Sequence, residues 1–269
     1  MDLGLADRVC VVTGASRGIG HATVRGLLAE GALVVGVGRD ENRLQNALAD
    51  AAGEAGVDVS RTTGVAADIT RPEAPDAIRA AAVERFGPVD VLVNNAGTMV
   101  IRSIDELTDD DWNEQWETNV LGPMRLMRAL APEMAERGYG RIVNVSSSSG
   151  KRPSLRNIAY SAAKSAQLSL SRSFADTYAD KGVTVNAVAP GMLDSPMWTA
   201  PGGLAEQAAA QQGTTVEEIM AAGHKKIPRG RLGTVDEVAA VIVFLCSSQA
   251  AFVTGAAWSV DGGTIQTIV

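Results

Sequence analysis

Seven short, almost unbroken apolar runs, separated by helical patterns, restrict the possible folds of this chain more than any other feature. They are RVCVVTG (8–14), LVVGVG (33–38), TTGVAAD (62–68), DVLVNNAG (90–97), RIVNVSS (141–147), VTVNAVAP (183–190) and AAWSVDGG (256–263). A strand with one face in water alternates apolar and polar residues, whereas a strand covered on both faces need not. Helical patterns fill the spaces between, at 20–31, 41–54, 73–87, 106–138, 157–181 and 235–248. Strict alternation of this kind predicts a doubly wound α/β fold: a parallel seven-stranded sheet, right-handed crossovers, and helices on both faces. No repeat or low-complexity linker interrupts it, so residues 1–269 read as one domain. Gly31 ends the first helix. Thr108, followed by the acids 109–111, is a good start for the long helix at 106–138, and Pro123 is expected to kink it. The segment 197–227 breaks the alternation with Pro-Gly-Gly and two short helical patterns. It reads as a substrate lid inserted in the domain, or as a plain structural insertion.

In such a sheet, ligands bind beyond the carboxyl ends of the strands. The first strand runs into TGASRGIG (13–20), with glycines at 14, 18 and 20 as strand turns into helix. Gly14 suits the tight turn, Gly18 lets backbone approach a pyrophosphate at the helix N-terminus, and Gly20 lets helix and strand pack closely. Ser16, Arg17 and Ile19 belong to the same loop, which favours a dinucleotide over an ordinary turn. The second strand ends in Gly38-Arg39-Asp40. An acid at the strand tip would hold a free ribose 2′-hydroxyl, but Gly38 stands there. Arg39 and Arg17 suit a 2′-phosphate, so NADP(H) is preferred over NAD(H). Asp40 argues the other way, and the plain alternative for Arg39 is a solvated residue beside a surface acid.

NIAYSAAKSAQ (157–167) places Tyr160 and Lys164 four residues apart with only small residues between them. On a helix they share a face. Either the lysine snorkels past a half-buried tyrosine, or a fixed ammonium makes a phenolic proton labile. Composition removes several other classes. A net charge of −7 without any basic run gives no support for nucleic-acid binding. No window has eighteen apolar residues, and MDLGLADRVC lacks an apolar segment of leader length, so neither membrane nor export is expected and the address reads as cytoplasmic. Cys10 and Cys246 sit in apolar runs as buried hydrophobes, and His21 and His224 have no ligand cluster, so no metal site is expected.

With these pieces assembled, the chain resembles the short-chain dehydrogenase/reductase family in its compact form. The resemblance rests on TGASRGIG (13–20), NNAG (94–97), Asn119 in ETNVLG, Ser147 in VNVSSSSG, Tyr160 with Lys164, and Pro190-Gly191 followed by Ser195. PRGRLGTVDEVA (228–239) and VTGAAWSVDGG (253–263) extend it over nearly the whole chain. It implies a Rossmann-type domain and an NAD(P)-dependent enzyme moving hydride between nicotinamide and a carbonyl or secondary alcohol. Residue by residue, it implies Tyr160 as general acid/base. Lys164 would lower the phenol's pKa from about 10 and hold the nicotinamide ribose. Ser147 would hydrogen-bond the substrate oxygen. Only the family's spacing from Tyr160 selects it among the serines 146–149, with Ser148 as fallback. Asn119 would bend the long helix and hold a water near Lys164; on its residue type alone it is a satisfied polar helix residue. Asp68 and Ile69 would flank adenine, and Asn95, Ala96 and Gly97 would line the cofactor. Pro190, Gly191, Leu193 and Ser195 would meet the nicotinamide amide, Ser195 standing where the family usually has Thr.

Substrate choice in this fold comes from loops. Met99, Ser149, Arg152, Met192, Trp198 and residues of the 197–227 segment are the candidate pocket residues, and Met99, Met192 and Trp198 favour an apolar body. Arg152 and Lys151 would meet an anionic group or are plain loop charges. The pattern is similar to 3-oxoacyl-[acyl-carrier-protein] reductases; Arg137 and Lys181 would suit a carrier protein, against which Asp176 counts. The alternatives are an NAD(H)-dependent alcohol, polyol or steroid dehydrogenase, and a non-catalytic dinucleotide sensor, a class whose members typically lose the Tyr or Lys. Epimerases of the extended family need a longer chain. The resemblance also implies a homo-oligomer. Helices 106–138 and 157–181 would pair across a dimer, and the last strand with GGTIQTIV would complete a tetramer.

Overall fold

The computed structural model describes residues 2–266. Its strands are β1 (Val9–Thr13), β2 (Leu33–Gly38), β3 (Thr62–Ala66), β4 (Val91–Asn94), β5 (Gly140–Val145), β6 (Val183–Pro190), β7 (Leu193–Asp194), β8 (Gly233–Thr234) and β9 (Ala257–Val260). Seven form one sheet in the order β3-β2-β1-β4-β5-β6-β9, every neighbouring pair parallel. The short β7 and β8 pair apart from it. The helices are α1 (Gly18–Ala29), α2 (Glu41–Ala55), α3 (Ala74–Arg85), α4 (Asp109–Trp116), α5 (Gly122–Glu136), α6 (Ser148–Lys151), α7 (Ile158–Tyr178), α8 (Pro196–Thr199), α9 (Leu204–Gln212), α10 (Val216–Lys226) and α11 (Val235–Cys246).

The unbroken apolar runs are explained by two cores. Successive strand residues point to opposite faces. Cys10, Val12, Val34 and Val93 therefore meet Leu27 and Leu28 of α1, Leu48 of α2 and Ile242 of α11. Val11, Val35, Leu92 and Ile142 meet Ile78 of α3, Leu126 and Leu130 of α5 and Ala175 of α7. Each fully buried leucine contributes about 1.5–3 kcal/mol of transfer free energy. Cys10 and Cys246 are buried free thiols in the first core, and burial pushes the Cys246 thiol up to about 12. Among the described residues no cluster could hold a metal, and no helix is long and apolar enough to cross a membrane.

The structure corrects the single helix expected at 106–138. Thr108 does cap α4, in a reciprocal box with Asp111. A π-turn over Glu117–Leu121 then separates α4 from α5. A helical proline clashes with the carbonyl four residues back, which for Pro123 is that of Asn119. The wide turn relieves that clash, so the irregularity precedes the proline instead of falling on it. Segment 197–227 holds three helices, α8 to α10, instead of two, and Pro201-Gly202-Gly203 makes a turn with Gly202 at φ 74°. Of the tail GGTIQTIV, residues 267–269 lie outside the described residues.

Candidate active site

A cleft of about 720 Å³ runs beyond the carboxyl ends of the strands, across the point where the chain leaves β1 for β2 on one side and β4 lies on the other. At that point Thr13 and Asn95 tie two turns together. The Thr13 hydroxyl accepts from the backbone N–H of Asn95 and of Ala96, both at 3.0 Å, and Asn95 Nδ2 donates to Thr13 O at 2.8 Å. Gly14 and Gly18 have φ of 66° and 58°, a region costly for other residues. A Cβ on Gly18 would meet nothing, because it faces the open cleft. The first turn of α1 carries no acid and no side-chain cap, so its N–H groups remain for an anion. This arrangement fits a dinucleotide pyrophosphate. Gly20 does not line the cleft; a Cβ there would collide with the Gly14 carbonyl oxygen and lie 2.5 Å from Asn95 Nδ2. Gly20→Ala is accordingly expected to weaken nucleotide binding at least tenfold and lower Tm by several degrees, through displacement of the turn. Fluorescence titration and calorimetry check this.

At the outer end of the cleft, Arg17, Arg39 and Arg43 line the wall. Arg17 and Arg39 are exposed and join no ion pair among the described residues. Asp40 is engaged as the cap of α2, accepting from Arg43 N at 3.0 Å. Asp68 is held below the usual carboxylate range. Burial opposes this, but the Thr70 backbone N–H and hydroxyl, at 3.0 and 2.8 Å, outweigh it with help from Arg39 and Arg71. Arg43 escaped the sequence reading because it lies a helical turn beyond the strand tip.

At the inner end, α7 is pinned to the sheet by polar contacts that no motif announced. Asn94 donates to Asn144 at 2.8 Å, Asn144 to Ser171 at 2.9 Å, and Ser146 Oγ to the Lys164 carbonyl at 3.0 Å. This places Tyr160, half-buried, against Ser147, so the structure brings Ser147 and not Ser148 to the phenol. Ser147 also caps α6, accepting from Ser149 N at 3.1 Å. Lys164 is only 3% exposed. Its Nζ donates to Val145 O at 2.8 Å and to Gln167 Oε1 at 3.2 Å, and lies 5.7 Å from the Tyr160 ring centre.

The expected lowering of the Tyr160 pKa by Lys164 is opposed by burial. Burial raises the phenol, with the facing Ser147 hydroxyl pulling the other way. Burial also pushes Lys164 down to about 7. Asn119 lies in the π-turn, fully buried behind the cleft wall, donating to Thr98 O and Gln115 O at 3.1 Å. A Cβ on Gly97 would come within 2.9 Å of Asn119 Oδ1 and 3.5 Å of Lys164 Nζ, so only glycine leaves the gap between them open.

Ser16, Ile19, Asp68, Ile69, Asn95, Ala96, Gly97, Pro190, Gly191, Leu193 and Ser195 all line the cleft, as do Met99, Ser149, Met192 and Trp198. Lys151 does not; its Nζ is tied to Ala257 O at 2.6 Å and Ser259 Oγ at 3.0 Å, and Arg152 points to solvent. Glu114, Thr118 and Asn157 line it without having been foreseen, and Met197 and Lys226 bring the expected 197–227 segment to it. Glu114 and Thr118 stand four apart in neighbouring helical turns and were readable as one face; Met197 and Lys226 depend on how 197–227 folds back.

Known proteins resemble this chain over most of its length. The family profile described as short chain dehydrogenase matches residues 8–202. The 3-oxoacyl-[acyl-carrier-protein] reductase of Vibrio cholerae is 35% identical over 261 residues, covering 97% of this chain and 98% of the relative. The L-sorbose reductase of Gluconobacter frateurii, solved with NADPH and L-sorbose, superposes with a TM-score of 0.91 at 34% identity over all of both chains. An actinorhodin polyketide ketoreductase variant solved with NADPH gives 0.89 at 37% identity, covering 96% of this chain and 97% of the other.

Proposed function

The chain belongs to the short-chain dehydrogenase/reductase family of oxidoreductases, and on that premise we propose that it is an NADP(H)-dependent carbonyl reductase with Tyr160 as general acid/base. The observation that carries this reading is the placement of Ser147, Tyr160 and Lys164 at one end of the same cleft that holds the glycine turn at the other. The nicotinamide, when bound, supplies or takes up the hydride. The turn from Gly14 to Ile19 and the N-terminus of α1 would hold the pyrophosphate, and Pro190 to Ser195 the nicotinamide end. The Tyr160 hydroxyl gives its proton to the carbonyl oxygen in reduction, and in oxidation its phenolate takes the alcohol proton. Ser147 donates to that oxygen and fixes it for attack. Lys164, charged, compensates the phenolate that remains.

Three guanidiniums around an Asp40 already used as a helix cap support a 2′-phosphate over a free 2′-hydroxyl. The two NADPH-bound neighbours support the same preference. Met99, Met192, Met197 and Trp198 give the substrate end an adaptable apolar wall, suited to a ketone with an apolar body. Residues 197–227 act in this reading as the lid of one domain. The exposed Trp112 and Trp116 of α4, and Phe252 and Trp258 near β9, support burial in a homo-oligomer.

The test is a panel of 3-oxoacyl thioesters, ketoses and cyclic ketones read at 340 nm with NADPH and NADH, on the natural chain and on Arg39→Asp. The natural chain should turn over at least one ketone faster with NADPH. Arg39→Asp should raise KM for NADPH on the order of 10–100-fold and leave that for NADH within about threefold. Equal effects on both dinucleotides would remove the NADP(H) assignment.

A further inference from the structure

The helix that carries Tyr160 and Lys164 also carries a buried glutamine with no place in the chemistry above. Gln167 is three residues after Lys164 and completely buried. Its Oε1 accepts from Lys164 Nζ at 3.2 Å, while its Nε2 has no partner among the described residues. Burying an amide with one end unsatisfied is unfavourable, and a leucine or methionine of similar volume would fill the same space without that cost. What the amide does that an apolar side chain would not is accept from the lysine. Among the described residues the other acceptor on Nζ is Val145 O, at 2.8 Å.

We propose that Gln167 is a positioning residue for Lys164, holding the ammonium charged and aimed between the end of β5 and α7. The inference rests on reading Lys164 as part of the reaction centre. The residues around the amine leave Gln167 as its one adjustable contact. From α7 itself, Tyr160 is the titratable neighbour; from the end of β5 comes the Ser147 hydroxyl. The π-turn and α4 present the uncharged Asn119 and Gln115, and the α4 carboxylate at the cleft, Glu114, is within 3.4 Å of the Thr98 hydroxyl instead. Lys164 makes no ion pair among the described residues, and burial alone depresses it. The side-chain acceptor three residues away is therefore the contact through which a substitution can change its charge and aim.

The chain has five lysines, so a sample labelled with ¹³C at lysine Cε gives few resonances, and Lys164→Met identifies that of Lys164. Its titration midpoint is followed in the natural protein, in Gln167→Leu and in Gln167→Glu, with kcat measured against pH on the best ketone. Gln167→Leu should lower the midpoint by about 0.5–1 pH unit, and Gln167→Glu should raise it by about 1 unit or more. The alkaline limb of kcat, where the ammonium is lost, should move in the same two directions. A packing role would shift both variants alike or neither. Midpoints that stay within about 0.2 unit in both folded variants, or that move the same way, overturn the proposal. If no ketone is turned over while the midpoints split as expected, the functional reading fails and the role of Gln167 toward Lys164 stands. If turnover is normal and the midpoints do not split, the proposal alone fails.

Discussion

Tyr160→Phe is expected to lower kcat by about 10³-fold or more while leaving fold and nucleotide affinity in place. General acid/base groups contribute about 10²–10⁴ in rate, and no other phenol or imidazole lines the cleft near Ser147 to take over. His21 sits at the far, outer end beside Arg17 and Asp40. The substitution removes one oxygen and keeps the ring. Because burial already disfavours the ionised phenol, its hydroxyl contributes little to stability, and the loss should stay within about 1 kcal/mol. Steady-state kinetics, nucleotide fluorescence titration and a urea melt, made on the same preparation, separate these terms. A kcat within tenfold of the natural chain, with nucleotide still bound, would assign the proton transfer to another group.

The parts of this molecule readable in its sequence are those where one residue type has a single physical use. The apolar runs had to be doubly covered strands, and the glycines at 14 and 18 had to serve a turn with positive φ. Thr108 with Asp111 had to start a helix. Unreadable parts depend on partners distant in sequence. Asn94, Asn144 and Ser171 look like ordinary polar residues until parallel pairing of β4 with β5 and packing of α7 bring them within 3 Å of one another. The π-turn was hidden because its cause, a carbonyl clash from Pro123, reads at first as a kink at the proline itself. The partners of the Lys164 ammonium were hidden for a related reason. Spacing places two side chains on one face, but whether a cation spends itself on the phenol or on a carbonyl is decided by acceptors such as Val145 O and Gln167, and these come from the tertiary fold.

That placement of Lys164 leads to an expected result in which stability and activity change in opposite directions. Lys164 sits at about 7 in the fold, against about 10.4 for an unstructured lysine. Below pH 7 both states carry the proton, and folding bears the whole cost of burying the charge. Between about 7 and 10.4 the unfolded chain binds more protons than the folded one, so stability rises with pH at up to about 1.4 kcal/mol per unit. Above that window neither state is charged and the penalty is gone. Lys164→Met carries no such penalty at any pH. Without nucleotide and at matched protein concentration, it should therefore exceed the natural chain in unfolding free energy most at pH 6. Its advantage should shrink by an amount on the order of 3–5 kcal/mol toward pH 10. Its turnover should nevertheless fall by about 10²-fold or more, since the phenolate left after proton transfer loses its compensating charge. Urea titrations at pH 6, 8 and 9.5, paired with kcat at each pH, read both effects. An advantage of the same size at all three pH values would mean that the buried amine is not depressed. A Met variant that is less stable at pH 6 would mean that its contacts with Val145 and Gln167 outweigh the desolvation of the charge.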